Sequence, residues 1–361
     1  MLSRFTPYFV AAALPLLVFA WFMPKGAVQI DLWLLWFVAM TVVALPMLFL
    51  ELALASRSGQ TPWQGMQKLT READVGVFWR LFVGLGVFFA ILLATRLLGV
   101  FAEGVGAYTQ ALGLTLPMPS YVVAGVLTGV ALILSVLKER LLGVGAVLVL
   151  ISGVLMLVLT PHFSFAVTPT NIQEWGLAVV MALFSVGVGT GVYWFSDKLP
   201  MLSTQRPANA PLSRVVLPIW LAQLVFGFFA FLTLSTTPNA PAVLVGGVGV
   251  LLVSAFLLYY AGSQLMARFG MITGGVITAV TAIVLALLPS ALSQYLLVVI
   301  GLIVALGLAI FAGWLMKISH LRKVLNFGSE LRYNLWRVAV RILVPLSIMS
   351  GLVGWVLLWL T

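Results

Sequence analysis

Eleven long apolar runs dominate this sequence and restrict what it can fold into. A helix needs roughly 20 mostly apolar residues to cross a bilayer. Backbone polar groups in lipid must be paired within their own segment, so we expect each run to be a helix. The sequence therefore predicts an all-α membrane protein with eleven transmembrane helices in one domain, residues 1–361. The predicted spans are 5–24, 32–55, 81–110, 120–137, 141–160, 175–196, 215–235, 242–266, 271–289, 291–316 and 341–360.

The composition excludes the soluble classes of protein. Hydrophobic residues make up 63% of the chain and charged residues 8%, whereas a typical soluble domain has about 25% charged residues. The chain has no cysteine and two histidines, His162 and His320. No catalytic or metal-ligating constellation is present among these residues. We therefore predict that the protein is not an enzyme, and that it carries no metal and no cofactor.

The net charge of +10 has two interpretations. Basic residues can bind nucleic acid, or they can hold cytoplasmic loops of a membrane protein in place. When the N-terminus is placed in the cytoplasm, 17 of the 19 Lys and Arg residues fall at cytoplasmic ends or loops, with only Lys25 outside and Arg96 within a span. This segregation favours the lipid bilayer as the partner over nucleic acid. It predicts a cytoplasmic N-terminus, an outer C-terminus and headgroup contacts for the basic segment 317–341.

Four short segments of the sequence, taken in their order along the chain, carry a resemblance to a known family. The second span carries Glu51 near its end and is followed by the Gly- and Pro-containing loop 58–62. Segment 184–191 has three alternating glycines inside an apolar span, while 313–314 is a Gly-Trp pair and 335–337 reads Leu-Trp-Arg. This ordered set resembles the neurotransmitter:sodium symporter family in its bacterial eleven-helix form, as a divergent member.

The resemblance implies a leucine-transporter-type fold. Two five-helix halves, approximately 5–160 and 175–317, would form an inverted repeat, with 341–360 as an extra helix. Family sites lie at mid-membrane, where the first and sixth helices break. The resemblance also implies a multi-pass protein of the bacterial inner membrane, which transports a small amino-acid-like solute.

The glycines of the sixth span favour a helix break, although close helix packing through small residues is an alternative. Each of Gly187, Gly189 and Gly191 costs about 1 kcal/mol relative to alanine in a helix. Ser185 and Thr190 supply polar groups beside them. The predicted central site comprises Phe184, Ser185, Gly187, Gly189, Thr190, Gly191 and Arg96, with Glu51 and Pro15 supporting the helix breaks.

The first span departs from the family pattern. Residues 13–24 contain no Asn or Gly, and only Pro15 remains to kink the helix. The hydroxyls left as residual ion ligands are those of Ser185 and Ser254, which are few for a sodium ion. The charged pair of the family's outer gate would fall near Met23 and Gln294 and is absent. We therefore predict that sodium coupling is weakened or lost.

Arg96 lies near mid-membrane, where a charged side chain needs a partner. It can form a structural ion pair or extend its charged end toward the membrane surface. The candidate acidic partners are Glu103, seven residues further on, and Glu51. Alternatively, it binds a substrate carboxylate or replaces the charge of a sodium ion. Both interpretations stay open at this point.

Two functional hypotheses follow from these residues. The first is a secondary transporter for a small amino-acid-like solute. The second is a non-transporting relative that keeps the fold as a sensor or as the partner of another membrane subunit. A mid-membrane cavity lined by Ser185, free backbone and Arg96 would favour the first. A space filled by Leu14, Leu16 and Phe19 would favour the second.

Overall fold

Thirteen helices and one short strand pair make up the described part of the chain. The computed structural model describes residues 2–23, 27–111, 113, 118–160, 164–189, 211–234 and 239–360. The apolar helices are α1 Leu2–Phe19, α2 Ile30–Ser58, α4 Leu81–Ala111, α5 Ser120–Leu134, α6 Arg140–Leu159, α7 Ile172–Ser185, α8 Ser213–Leu234, α9 Ala240–Phe269, α10 Met271–Ala286, α11 Ser290–Leu315 and α13 Glu330–Leu360. The connecting helices are α3 Pro62–Ala73 and α12 Ile318–Leu325.

The apolar helices correspond to the eleven predicted spans. Eight are long and apolar enough to cross a membrane, and three shorter apolar helices, Tyr8–Phe19, Ile172–Ser185 and Met271–Ala286, complete the set. The ends differ from the predicted bounds in several places, since α1 ends at Phe19 instead of 24 and α7 ends at Ser185 instead of 196. The last helix begins at Glu330 instead of 341, because Ser329 caps it and accepts the Arg332 amide at 3.3 Å. The arginines that were expected in a loop therefore lie on α13.

Large apolar side chains remain exposed on the outer helices. Ile133 of α5 is 74% exposed, Ile272 of α10 is 82% exposed and Leu346 of α13 is 63% exposed. Soluble monomers rarely expose contiguous apolar surface on this scale. Lipid is the solvent that suits these faces, so exposure and hydropathy agree on a multi-pass membrane protein.

Helix neighbours repeat between the two halves of the chain. Helix α1 packs against α8, and α7, which is five spans after α1, packs against α2. Likewise, α4 packs against α11 while α9 packs against α6, and the pair α4–α5 matches the pair α9–α10. Because each half has an odd number of spans, equivalent helices cross in opposite directions. This pattern is that of a five-plus-five inverted repeat, whereas the bounds 5–160 and 175–317 stay predictions.

A short parallel strand pair ties the two halves together at one end. Val28–Gln29, just before α2, pairs with Phe165–Ala166, which precedes α7. The carboxylate of Asp31 strengthens this link by accepting hydrogen bonds from the Thr168 amide at 3.0 Å and the Thr168 hydroxyl at 2.7 Å. The start of α2 is thereby fixed to the segment that leads into α7.

Three of the long helices contain a π-helical turn. These turns are Met40–Ala44 in α2, Phe311–Leu315 in α11 and Ala339–Leu343 in α13. The turn in α13 contacts the other two. A π-turn displaces the ladder of backbone hydrogen bonds and often occurs at functional sites. In α2 the Trp220 indole nitrogen donates to the carbonyl of Met40 at 2.9 Å.

We expect the close approach of α4 and α9 to depend on Gly247. A Cβ at this position would lie 1.9 Å from the nearest ring atom of Phe101. Gly247→Ala should therefore lower the stability of the purified protein by about 1–3 kcal/mol, because a packed interior tolerates extra volume poorly. The melting temperature in detergent is the measurement.

Gly129→Ala provides the matched control. Gly129 lies on α5, and no heavy atom would come within 4 Å of an added Cβ. This variant should keep or slightly raise the melting temperature, since alanine is the better helix former. Equal losses in the two variants would show that helix contact is not the cause.

Candidate functional site

The helix of the sixth span ends inside the predicted span 175–196, and residues 190–196 of that span lie outside the described part of the chain. We call this end of α7 the break. The helix ends at Ser185, and Gly187 follows with a φ of +68°. The amide of Gly187 donates to the Phe184 carbonyl at 2.9 Å, and the amide of Val188 donates to the Leu183 carbonyl at 3.2 Å. This pair of bonds is a Schellman motif, which requires the left-handed conformation that glycine adopts without strain.

Two buried polar side chains hold the broken end. The side-chain amide of Gln223, on α8, donates to the Ser185 carbonyl at 3.1 Å. The carboxylate of Glu51, on α2, accepts the amide of Gly189 at 3.4 Å. Both side chains are fully buried. Glu51 thus lies where the sequence placed it, whereas Gln223 was missed, although a glutamine inside an apolar span was the available signal.

Gly189 is required for space as well as for backbone conformation. Its φ is +82°, and a Cβ there would lie 2.9 Å from the Cγ1 atom of Val304 on α11. On the other side, a Cβ on Gly86 of α4 would lie 2.9 Å from the Gly189 carbonyl oxygen. The chain leaving α7 therefore passes closely between α4 and α11. Thr190 and Gly191, the other two members of the predicted site, lie outside the described residues.

Aromatic rings fill the space beside the break. The ring of Phe184 lies 5.3 Å from that of Phe89 on α4 and 6.2 Å from that of Phe22, measured between centroids. Phe22 in turn lies 5.7 Å from Trp355 of α13, and all three pairs meet edge to face. We call Phe22, Phe89, Phe184 and Trp355 the aromatic cluster. It provides an apolar lining of the kind that surrounds a hydrophobic or aromatic group.

The first span is not broken at Pro15. Helix α1 continues through Pro15 to Phe19, so Pro15 does not support a helix break, contrary to the prediction. Proline removes one hydrogen bond, to the carbonyl four residues earlier, and membrane helices tolerate this where neighbours surround them. Buried packing provides that support, since Ala11 and Phe19 are fully inaccessible.

The two residual hydroxyls, of Ser185 and Ser254, have different surroundings in this structure. The Ser185 hydroxyl donates to the Ala182 carbonyl at 2.9 Å within its own helix and lies 3.3 Å from the Met40 sulfur. The Ser254 hydroxyl, on α9, is fully buried and has no hydrogen-bond partner among the described residues. The two serines are thus not brought into a common set of oxygen ligands.

An apolar cavity of about 30 Å³ lies between α1 and α9. Every side chain that lines it is aliphatic or a phenyl ring, including Leu14, Leu17 and Val18 from α1 and Val253 and Phe256 from α9. A sodium ion prefers oxygen ligands. The side chains around this cavity offer a sodium ion none.

Arg96 forms the ion pair that was one of its two predicted roles. Its guanidinium donates to the Glu103 carboxylate at 2.9 Å, and its side chain is only 8% exposed. The seven-residue spacing separates the two Cα atoms by roughly 10 Å, which two extended side chains can bridge. Arg96 lies two helical turns beyond Phe89, on the same face of α4, so it is above the break instead of beside it.

A neutral contact occupies the position of the expected outer gate. The side-chain amide of Gln294, on α11, donates to the Trp21 carbonyl at 3.4 Å. This long bond joins the end of α1 to α11 without a charge on either side. It replaces the charged pair whose absence the sequence indicated near Met23 and Gln294.

Comparison with known proteins agrees with this architecture. No protein-family model matches the chain, and no curated protein matches its sequence. The structure is similar to that of MhsT in complex with L-phenylalanine, with a TM-score of 0.68 over 98% of each chain at 14% identity. At this identity the likeness shows the fold.

The fold defines the class of protein. It is an all-α membrane protein with a leucine-transporter-type fold. Membership of the neurotransmitter:sodium symporter family stays a prediction, because the likeness rests on structure alone. That the protein is not an enzyme also stays a prediction from composition.

We expect Gln223 to be essential for the broken end of α7. Gln223→Met keeps the length of the side chain but removes the donor to the Ser185 carbonyl, which would be left buried without that partner. The expected loss is about 1–3 kcal/mol of stability. Gln64→Met makes the same exchange at an exposed position of α3 and should change the melting temperature little. A Gln223→Met protein as stable as this control would contradict the capping role.

The ion pair of Arg96 can be measured with a double-mutant cycle. Arg96→Met and Glu103→Gln should each lower stability, and the double variant should lose less than the sum of the two. The coupling should be about 1 kcal/mol or less, because Glu103 is 41% exposed and water screens the pair. Arg96→Lys should rescue Arg96→Met only in part, since lysine lacks the planar fork. Strict additivity would show that the two side chains act independently.

Proposed function

We propose that this protein is a sodium-independent carrier for a small amino-acid-like solute with an apolar side chain. The observation that carries the proposal is the end of helix α7 inside the protein, where Glu51 and Gln223 hold the chain next to the aromatic cluster. An interrupted helix presents backbone groups to a solute in a region where water is scarce. A purely structural span would be more stable without the interruption.

Two parts of such a solute have a counterpart beside the break, and the third part has one two helical turns away. The carbonyl end of α7 carries a partial negative charge, which suits an ammonium group. The rings of Phe89 and Phe184 suit an apolar side chain. The Arg96 guanidinium, on the same face of α4, suits a carboxylate if it exchanges Glu103 for the solute. MhsT was solved in complex with L-phenylalanine, a solute of this chemistry.

The absence of sodium coupling is part of the proposal. It is supported by the wholly apolar side chains around the cavity between α1 and α9, and by the Ser185 hydroxyl, which is engaged within its own helix. Without oxygen ligands, a bound cation would lose its hydration without compensation. The driving force would then be the gradient of the solute itself or of an exchanged solute.

We place the protein in the bacterial inner membrane, with a cytoplasmic N-terminus and an outer C-terminus. The distribution of Lys and Arg supports this orientation. The buried-to-exposed pattern of the helices supports a multi-pass topology.

The alternative is a non-transporting membrane subunit or sensor. The tight filling of the interior favours it, since Leu16 and Phe19 are buried and Phe19 packs edge-on against Trp36 and Phe231 at 5.4 and 5.1 Å. The aromatic side chains of a carrier would also pack against one another in this way when the carrier is closed and holds no solute. Solute exchange therefore separates the two functions.

The test is the exchange of labelled L-phenylalanine in vesicles that contain the purified protein. We expect exchange rates in sodium, potassium and choline buffers to agree within about twofold, because the side chains around the cavity between α1 and α9 offer the ion no oxygen. Phe184→Ala should reduce exchange by tenfold or more, whereas Phe269→Ala, at an exposed ring on α9, should leave it unchanged. Steep sodium dependence would contradict the uncoupled mechanism.

A second outcome decides between the two functions. If the folded protein neither exchanges nor is thermally stabilised by any of a panel of zwitterionic solutes, the carrier proposal fails. In that case the subunit or sensor function stands. Folding is checked independently by the melting temperature.

A further inference from the structure

A cluster of arginines occupies the corner where α11, α12 and α13 meet. We call Arg322, Arg337 and Arg341, which surround Tyr333, the arginine corner. All three guanidinium groups lie near enough to Tyr333 to act on its phenol electrostatically. The Tyr333 hydroxyl donates to the Ile318 carbonyl at 3.3 Å, which fixes α12 against α13. This hydrogen bond makes the corner part of the folded structure.

The positive charge of the corner is largely uncompensated. Residues 317–341 contain six Lys or Arg residues and one acidic residue, Glu330. Glu330 pairs with Arg322 at the surface. Within the described part of the chain, no acidic side chain pairs with Arg337 or Arg341. These guanidinium groups are therefore able to bind an anion from outside the chain.

Arg341 is held in place by two contacts. Its Nε donates to the carbonyl of Gly313, in the π-turn of α11. Its guanidinium lies over the ring of Trp314, 5.2 Å from the centroid. The terminal nitrogens make no hydrogen bond or ion pair to any described residue, so a positioned guanidinium remains able to donate. Arg337, one turn earlier on α13, lines the same small cleft.

An exposed apolar stripe runs beside these arginines. It consists of Ile342, Leu346, Met349 and Val353, spaced at helical intervals on α13 and between 49% and 63% exposed. Arg337 and Arg341 lie at the end of this stripe where α13 enters the last span. Positive charge beside apolar surface at the end of a membrane helix is complementary to a molecule with an anionic head and an apolar tail.

We propose that the arginine corner binds the headgroup phosphate of an anionic phospholipid, whose acyl chains lie along the exposed stripe of α13. Guanidinium groups bind phosphate in a bidentate manner, and two of them one turn apart can share one headgroup. The stripe favours a lipid over a free phosphate ion, since only the lipid covers it. The lipid would also join α11 to α13, because Arg341 is bonded to the backbone of α11.

The experiment is a lipid titration of the full chain, purified in detergent and stripped of lipid. Phosphatidylglycerol and phosphatidylcholine are added separately, and binding is measured by native mass spectrometry and by the melting temperature. We expect phosphatidylglycerol to bind with at least about tenfold higher affinity. Arg337→Gln should weaken its binding about tenfold, the usual effect of losing one charge-assisted contact.

The matched control removes the same charge elsewhere on α13. Arg332 is exposed and does not line the cleft, so Arg332→Gln should weaken phosphatidylglycerol binding less than twofold. Arg337→Lys keeps the charge and should retain most of the affinity. An unchanged melting temperature of Arg337→Gln without lipid establishes that this variant is folded.

Four results would overturn the proposal. Equal losses in Arg337→Gln and Arg332→Gln would indicate a diffuse surface potential instead of a site. Equal affinities for the two lipids would remove the role of the anionic head. Inorganic phosphate that displaces phosphatidylglycerol at equal concentration would assign the corner to free phosphate. A dimer that forms without lipid and covers α13, measured by light scattering and crosslinking, would assign the stripe to a second copy of the chain.

Discussion

A helix that ends inside a membrane protein leaves backbone groups that have no water to bind, and this constraint governs the centre of the structure. An unpaired buried polar group costs about 1–3 kcal/mol. At the end of α7, some backbone groups are paired by the Schellman hydrogen bonds within the chain segment itself. Others are paired by the side chains of Gln223 and Glu51 from neighbouring helices. Those two side chains come from α8 and α2, which are equivalent helices of the two halves. The inverted repeat thus supplies one polar support from each side of the break.

The parts of this arrangement that are local in sequence could be predicted. Apolar runs of sufficient length indicated the eleven spans, and the alternating glycines indicated the break at Gly187 and Gly189. The role of Gln223 could not be predicted, because its partner Ser185 lies 38 residues away on another helix. Pro15 was misinterpreted for a related reason. Its effect depends on the neighbours that pack around α1, which a sequence pattern does not reveal.

The electrostatics of the interior change when oxygen ligands are replaced by apolar side chains. A cation site must include buried oxygen ligands, and burying these polar groups is energetically unfavourable when the cation is absent. Here the cavity between α1 and α9 is lined by side chains that are stable without any ion. Among the described residues, the buried charged side chains are Asp31 at the strand pair, Glu51, which serves the backbone, and Arg96, which pairs with Glu103 on the same helix. An ion pair within one helix does not change when helices move relative to one another.

The strand pair that joins the entries of α2 and α7 also affects how the protein can move. Val28–Gln29 and Phe165–Ala166 share backbone bonds, and Asp31 holds Thr168 through both carboxylate oxygens. Helices α2 and α7 are joined at this end, so they can rotate about the link but cannot separate there. Rocking of α7 relative to α2 would therefore be small near this link and largest at the opposite end of the bundle. The Glu51 support, which lies near the far end of α2, would then experience most of the displacement.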